Sequence, residues 1–379
     1  MFRSGTTLLA RMLNAHPEIV CLSDPCLPFF KYFRSYISLN LGLNISPESP
    51  LDDYYYKPEM LSLFNLIQES DLDCKIPLRW KDSIKEDIIK YGYPYSPLIM
   101  DDIKELSVTT FKNLLQDILD LGYTVYGKNK KPKLIGFKEV WTDEFIPPLI
   151  RTFNDIKILI LLRDPRAVSS SKNITSDKYP WLFLARQWRK LAGLAFHYKN
   201  IFSDRVLLIY YEKLISNPEK EIYRILDHLN LSFHPNLLDF SKYLDGFNRP
   251  WIQNTSYGNG LQGFNKDSIT RWKSFLTCDE ENFIKLICGP EMYLHGYLSS
   301  FSFKGLPFFI NNPLCFSLSE IALWIKKYSS VNPVDVSLET SKEYLRKSLF
   351  ITKSENIDLI KISFLFENIF YQASKGYQE

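Results

Sequence analysis

Arg3-Ser4-Gly5-Thr6-Thr7 decides how the rest of this chain is read. Leu8, Leu9, Met12 and Leu13 follow it at the spacing of one apolar helix face. A glycine between small hydroxyl residues, opening a helix, gathers several backbone N–H groups at the positive end of the helix dipole. Such a turn captures a phosphate or sulfate, with Ser4, Thr6 and Thr7 as additional donors. Arg3 adds a fixed charge on a planar donor fork suited to oxyanions. A capped helix start beside an incidental arginine explains the same five residues, so the remaining sequence has to decide.

Composition narrows the field. With 379 residues, 45% of them hydrophobic, the chain has material for one large α/β domain with an extension, or for two modest domains. A net charge of +3 is too mild for a nucleic-acid partner, so any anion site is local. The six cysteines contain no Cys-x-x-Cys pair and read as reduced, mostly buried thiols; a Cys278–Cys288 disulfide is the alternative. No secretory leader or membrane span is read, because the late apolar stretch 306–325 is broken by Asn, Ser, Glu and Pro. A cytoplasmic protein is therefore expected. Luminal or membrane-anchored forms stay open, because only Met1 and Phe2 precede a loop that normally follows a buried strand. The first strand reads as truncated.

Outward from the loop, Thr6 to Ala15 forms the first helix, ended by His16-Pro17, and Ile19 to Leu22 a short strand closing on Ser23-Asp24-Pro25. Residues 26–133 read as an aromatic-rich insertion on the acceptor side, with helical pieces near 60–70 and 105–121. Leu134 to Val140 and Val206 to Tyr210 are strands. Lys157 to Leu162 is a continuous apolar run typical of a strand buried on both faces. It runs into Arg163-Asp164-Pro165-Arg166, with helices expected over 167–174, 181–201 and 218–229. Alternating strands and helices argue for a mostly parallel sheet, whose ligands bind outside the carboxyl ends of the strands. The expected fold class is α/β, a P-loop-like three-layer arrangement over 1–300. A helical extension over 301–379 follows, with a capping box at Ser317–Glu320 and a helix over 357–371.

Four separated motifs resemble one family. They are Arg3-Ser4-Gly5-Thr6-Thr7-Leu8-Leu9 with His16-Pro17; Arg163-Asp164-Pro165-Arg166-Ala167-Val168 with Ser171; Tyr211-Glu212 and Leu214 with Asn217-Pro218; and Arg271-Trp272-Lys273. In order and spacing they resemble the sulfotransferases that use 3′-phosphoadenosine-5′-phosphosulfate (PAPS), nearest to the carbohydrate and protein-tyrosine branches. Phe2 stands where those branches carry Pro.

The resemblance implies transfer of the sulfuryl group from PAPS to a hydroxyl or an amine, without metal, on an acceptor that is a carbohydrate, a peptide or a small metabolite, with oligomeric state left open. Two anion sites follow from the two anionic ends of that donor. Arg3, Ser4, Gly5, Thr6 and Thr7 would hold the 5′-phosphosulfate; Arg163 and Ser171 the 3′-phosphate; Tyr211 and Arg271 would touch the nucleotide, with Ser256 and Ser268 as further donors. Arg3 would neutralise the leaving phosphate oxygen, and Asp24 would act as base where the resembling branches place Glu. Glu139, Glu144 and His197 stand in reserve. Arg166 pairs either with ligand or with Asp164. The competing readings are a non-catalytic nucleotide-binding protein that kept the fold and, more weakly, a P-loop kinase; the loop lacks a complete Gly-x4-Gly-Lys-Ser/Thr sequence.

Overall fold

A computed structural model describes residues 3–51, 58–170, 181–252, 263–303 and 336–378. The chain is α/β, mostly helical, with short strands. Its residues pack as two compact units. One comprises Met1–Leu51, Leu63–Leu161 and Asp204–Lys266; the other Asp52–Ser62, Leu162–Ser203 and Asp267–Glu379.

In the first unit, α1 (Thr6–Asn14) buries Leu8, Leu9, Ala10 and Met12 against β1 (Ile19–Ser23). β1 pairs in parallel with β2 (Leu134–Lys138), in a register running from Ile19 opposite Leu134 to Ser23 opposite Lys138. That register sets the end of β2 beside the turn that leaves β1. β3 (Ile158–Leu162) pairs with β4 (Val206–Tyr210). The described strands thus form two two-stranded sheets. β4 ends at Tyr210 as expected, and Tyr211 opens a helix, α9 (Tyr211–Ser216). α10 (Pro218–Leu229) follows with Pro at its first position, but Asn217 makes no side-chain cap.

The aromatic-rich segment is more helical than its pattern conveys. α3 (Pro58–Glu69) and α5 (Phe111–Tyr126) answer the two expected pieces. α2 (Leu27–Leu39) and α4 (Lys81–Gly92) are additional helices, and α6 (Ile146–Thr152) lies between β2 and β3. α2 buries Phe29, Phe30, Tyr32, Phe33 and Ile37, so apolar residues fall on several faces and no single stripe marks it. Its start gives no signal either, because Cys26 occupies the N-cap without a side-chain bond. Phe29 and Phe33 each meet Phe111 edge-on, at 5.6 and 5.2 Å between ring centroids, and Phe30 meets Phe145 at 5.0 Å. This cluster is the core of the segment.

In the second unit, α7 (Pro165–Ser170) leaves β3's end, and α8 (Trp181–Ile201) packs on α12 (Cys278–Leu294). A short helix, α11 (Asp267–Thr270), precedes α12, which starts from a reciprocal capping box of Thr277 and Glu280. Late in the chain come α13 (Val336–Ile351), α14 (Ile357–Phe364) and α15 (Glu367–Ser374). The single helix expected over 357–371 is two, because Leu365 adopts φ 65° and breaks the run. Glu343 of α13 accepts from Arg186 and Arg189 of α8, each at 2.7 Å, and Arg346 pairs with Glu291 at 2.7 Å. Ser317–Glu320 lies outside the described residues. The described cysteines are free thiols, Cys278 and Cys288 among them.

Candidate active site

The Arg3–Thr7 loop belongs to the first unit. Arg3 (φ 59°) and Gly5 (φ 87°) are both left-handed, and Gly5 is the N-cap of α1. Gly5 is required twice over. Its φ is strained for any residue with a Cβ, and such a Cβ would lie 2.5 Å from two ring carbons of Tyr211. The structure therefore brings Tyr211, itself buried, against the loop. Gly5, the N-cap of α1, supplies no side-chain cap to the first-turn N–H groups. Ser4 is fully buried, yet its Oγ has no hydrogen-bond partner among the described residues. Thr6 is half-buried and Thr7 exposed.

Asp24 leaves β1 in the same unit. It is buried and left-handed, at φ 46°. Its N–H donates to the Lys138 carbonyl at 2.7 Å, extending the β1–β2 ladder by one bond. The Lys138 ammonium ion-pairs with Asp24 Oδ2. Oδ1 accepts no hydrogen bond among the described residues. Ser96, from the aromatic-rich segment, grips the same turn: its Oγ accepts from the Ser23 N–H at 3.0 Å and donates to the Ser23 carbonyl at 2.9 Å. Glu139 follows Lys138, and its Oε2 accepts from the Cys26 N–H at 2.8 Å. Burial pushes the Glu139 carboxyl well above the ordinary carboxylate range; the Asp24 charge adds to that push and Lys138 opposes it.

Arg163 and its neighbours belong to the second unit. Arg163 is buried, and its Nη2 donates to the Ser268 carbonyl at 2.7 Å. Its own carbonyl accepts from Trp188 Nε1 at 2.7 Å. Arg166 pairs with Asp164 (Nη2–Oδ2 2.7 Å) and Glu281 (3.2 Å), and its guanidinium lies 4.1 Å over the Trp272 ring. Of its two sequence readings, the structural one holds. Trp272 is a buried anchor, while Arg271 is half-buried over Phe275 at 5.4 Å. Ser171 and Ser256 lie outside the described residues. Each motif is thus described within its own unit.

Two of the reserve candidates, His197 and Glu144, are held by local packing, and so is His16. His197 stacks on Phe366 at 3.5 Å and meets Asn368 Oδ1 at 3.0 Å. Glu144 is fully buried in a short 3-10 turn. His16 bridges the Ser232 carbonyl (2.9 Å) and the Glu18 N–H (3.1 Å), so both ring nitrogens are engaged. Sequence reasoning misses Lys138 and Ser96. The signal for Lys138 is a basic residue closing an apolar strand; Ser96 has none, since its partner is 73 residues away. Among the described residues no group of three metal-ligating side chains is found.

A family model described as the sulfotransferase family matches residues 81–235, a span that includes Lys138, Arg163 and Tyr211. A Caenorhabditis elegans protein named "Putative protein-tyrosine sulfotransferase" is 27% identical over 176 residues, covering 44% of this chain and 66% of its own length. A Caenorhabditis briggsae protein of the same name is 24% identical over 312 residues, 79% of this chain and 88% of that one. These matches make the chain similar to sulfotransferases, the family its motifs resemble. Two solved structures are also similar to this chain. The sulfotransferase domain of the Synechococcus PCC 7002 olefin synthase is 17% identical, covering 73% of this chain and 86% of that one, with TM-score 0.43. The sulfotransferase domain of the curacin biosynthetic pathway is 16% identical, covering 75% and 93%, with TM-score 0.44. No described helix is long and apolar enough to cross a membrane.

Proposed function

We propose that this chain transfers the sulfuryl group of PAPS to an acceptor hydroxyl on a P-loop-like scaffold, with Asp24 as general base. The observation that carries the reading is the Asp24 carboxylate: Lys138 holds Oδ2, and Oδ1 is left without a partner among the described residues. A base needs one oxygen oriented and the other open to the proton it takes. The left-handed backbone of Asp24 supports the same role, since conformations of that kind gather at functional sites.

The residues of the loop fit an anionic donor group. Ser4 Oγ is a buried hydroxyl without a partner among the described residues, and α1 starts uncapped at a glycine whose Cβ position is filled by a ring. Ser4, Thr6, Thr7 and the first-turn N–H groups would hold the 5′-phosphosulfate, with Arg3 neutralising charge on the leaving oxygen. Arg163 would hold the 3′-phosphate, with Ser171, Tyr211 and Arg271 as further contacts. PAPS, when bound, supplies the sulfuryl group and its leaving phosphate. The chain orients the acceptor hydroxyl, removes its proton at Asp24 Oδ1 and keeps that carboxylate in place through Lys138. The names of the two relatives make a tyrosine phenol the first acceptor to try. The test is transfer of labelled sulfate from PAPS to a tyrosine peptide and to a panel of other hydroxyl compounds. Transfer abolished in Asp24→Asn supports the reading; transfer that persists in that variant removes Asp24 from the role.

A further inference from the structure

The turn between β1 and α2 places a residue with a Cβ in a left-handed conformation, and it does so in a buried setting. Something has to hold it there, because the backbone alone favours other conformations. Ser96 holds the near side through both main-chain groups of Ser23. The Lys138 carbonyl holds the middle through the Asp24 N–H. The far side is held by Glu139, whose Oε2 accepts from the Cys26 N–H at 2.8 Å, while its Oε1 meets the Tyr91 hydroxyl at 3.3 Å.

We propose that Glu139 is the positioning residue of the candidate base: by fastening Cys26 to the end of β2, it fixes the turn so that Lys138 meets Asp24 Oδ2 and Oδ1 stays open. The catalytic consequence rests on the sulfotransferase reading; the positional one does not. Two adjacent residues of one strand end divide the task, Lys138 taking the carboxylate and Glu139 the backbone beyond it.

The groups facing Glu139 are Asp24 and Cys26 of the turn, Lys138 at the end of β2 just before it, and Tyr91 and Tyr95. Burial and the Asp24 charge favour the protonated carboxyl. Protonated, Glu139 does not compete with Asp24 for the Lys138 ammonium. When rising pH ionises it, a second negative charge stands against Asp24 and the arrangement loosens.

The experiment compares Glu139→Ala and Glu139→Gln with the wild-type chain. Gln keeps an oxygen for the Cys26 N–H and cannot ionise. The expected result for Glu139→Ala is a kcat lowered about 30-fold, with acceptor KM and 3′,5′-ADP affinity within about 3-fold of wild type. Glu139→Gln should stay within about 3-fold of wild type at neutral pH and lose the alkaline decline of the pH–rate profile. Unchanged kcat in Glu139→Ala overturns the proposal. So does a Glu139→Gln variant that loses activity or keeps the alkaline decline. If Glu139→Ala does not fold, Glu139→Gln alone decides the matter through those two readouts. If the wild-type chain transfers nothing, the sulfotransferase reading falls separately, and amide exchange over residues 23–26 tests Glu139. Exchange faster by about 10-fold in Glu139→Ala but not in Glu139→Gln keeps the role; equal exchange in all three overturns it.

Discussion

The same dipeptide ends two strands of this molecule, and the two copies do different things. Asp24-Pro25 follows β1 and Asp164-Pro165 follows β3. Asp164 caps the helix that begins at its own proline: Oδ1 accepts from the Arg166 N–H at 2.8 Å, and the carboxylate also binds the Arg166 guanidinium. Asp24 caps no described helix. The helix that follows it starts later, from Cys26, and its carboxylate turns to Lys138, 114 residues further on. One aspartate is absorbed by its own turn, while the other presents an oxygen without a partner among the described residues. Local sequence therefore supplies the aspartate, and long-range pairing decides whether its carboxylate is spent within its own turn or held by a distant residue.

The largest expected difference between the two turns is in Asn substitutions. Asp24→Asn should lower kcat by about 10²–10⁴ while leaving 3′,5′-ADP affinity near normal, because Asn tolerates the left-handed backbone. Asp164→Asn should instead lower stability by about 1–3 kcal/mol, with kcat little changed in the folded fraction. Steady-state kinetics and denaturant melts on the pair check both. Equal kinetic losses in the two variants would erase the distinction.

Next in size is the loop proposed to hold the donor. Gly5→Ala forces a Cβ into the Tyr211 ring at positive φ, and it should weaken 3′,5′-ADP binding by about 10-fold or more at a fold cost of about 1–3 kcal/mol. Calorimetry against a thermal melt separates the two effects. The arginines of the second turn then sharpen the contrast further. Arg163→Ala should cost about 10-fold in affinity for 3′-phosphorylated nucleotides and leave 5′-ADP unaffected. Arg166→Ala should cost stability through Asp164 and Glu281 without changing that selectivity.

The smallest effect at neutral pH appears in acid. Burial would raise Glu343, but Arg189 and Arg186 pull it down to about 2, and burial lowers His295 to about 4. Both folded values lie below the unfolded ones. Their stability is complete above the ordinary His range and is lost as pH falls, first through His295 and then through Glu343. Both residues belong to the second unit, so exchange there should accelerate in acid before the first unit responds. Simultaneous loss in both units would contradict this.

What the sequence discloses, and what it withholds, follows the same division between local and distant. The loop, α1, β1, β3, α8 and α10 are legible because each carries its own periodicity or punctuation. The Arg166–Asp164 pair is legible as an alternative. Lys138 and Ser96 are not, because their contacts exist only once the β1–β2 register and the Ser23–Ser96 contact bring distant residues together. α2 is hidden by aromatics on several faces, and the break at Leu365 by a backbone conformation that leucine does not advertise.

The most direct test of the sulfotransferase account is calorimetric binding of 3′,5′-ADP against 5′-ADP and ATP, without Mg²⁺. The account predicts selective binding of 3′,5′-ADP, weakened by changes at either Gly5 or Arg163. Preference for ATP, or equal binding of nucleotides with and without a 3′-phosphate, would contradict it.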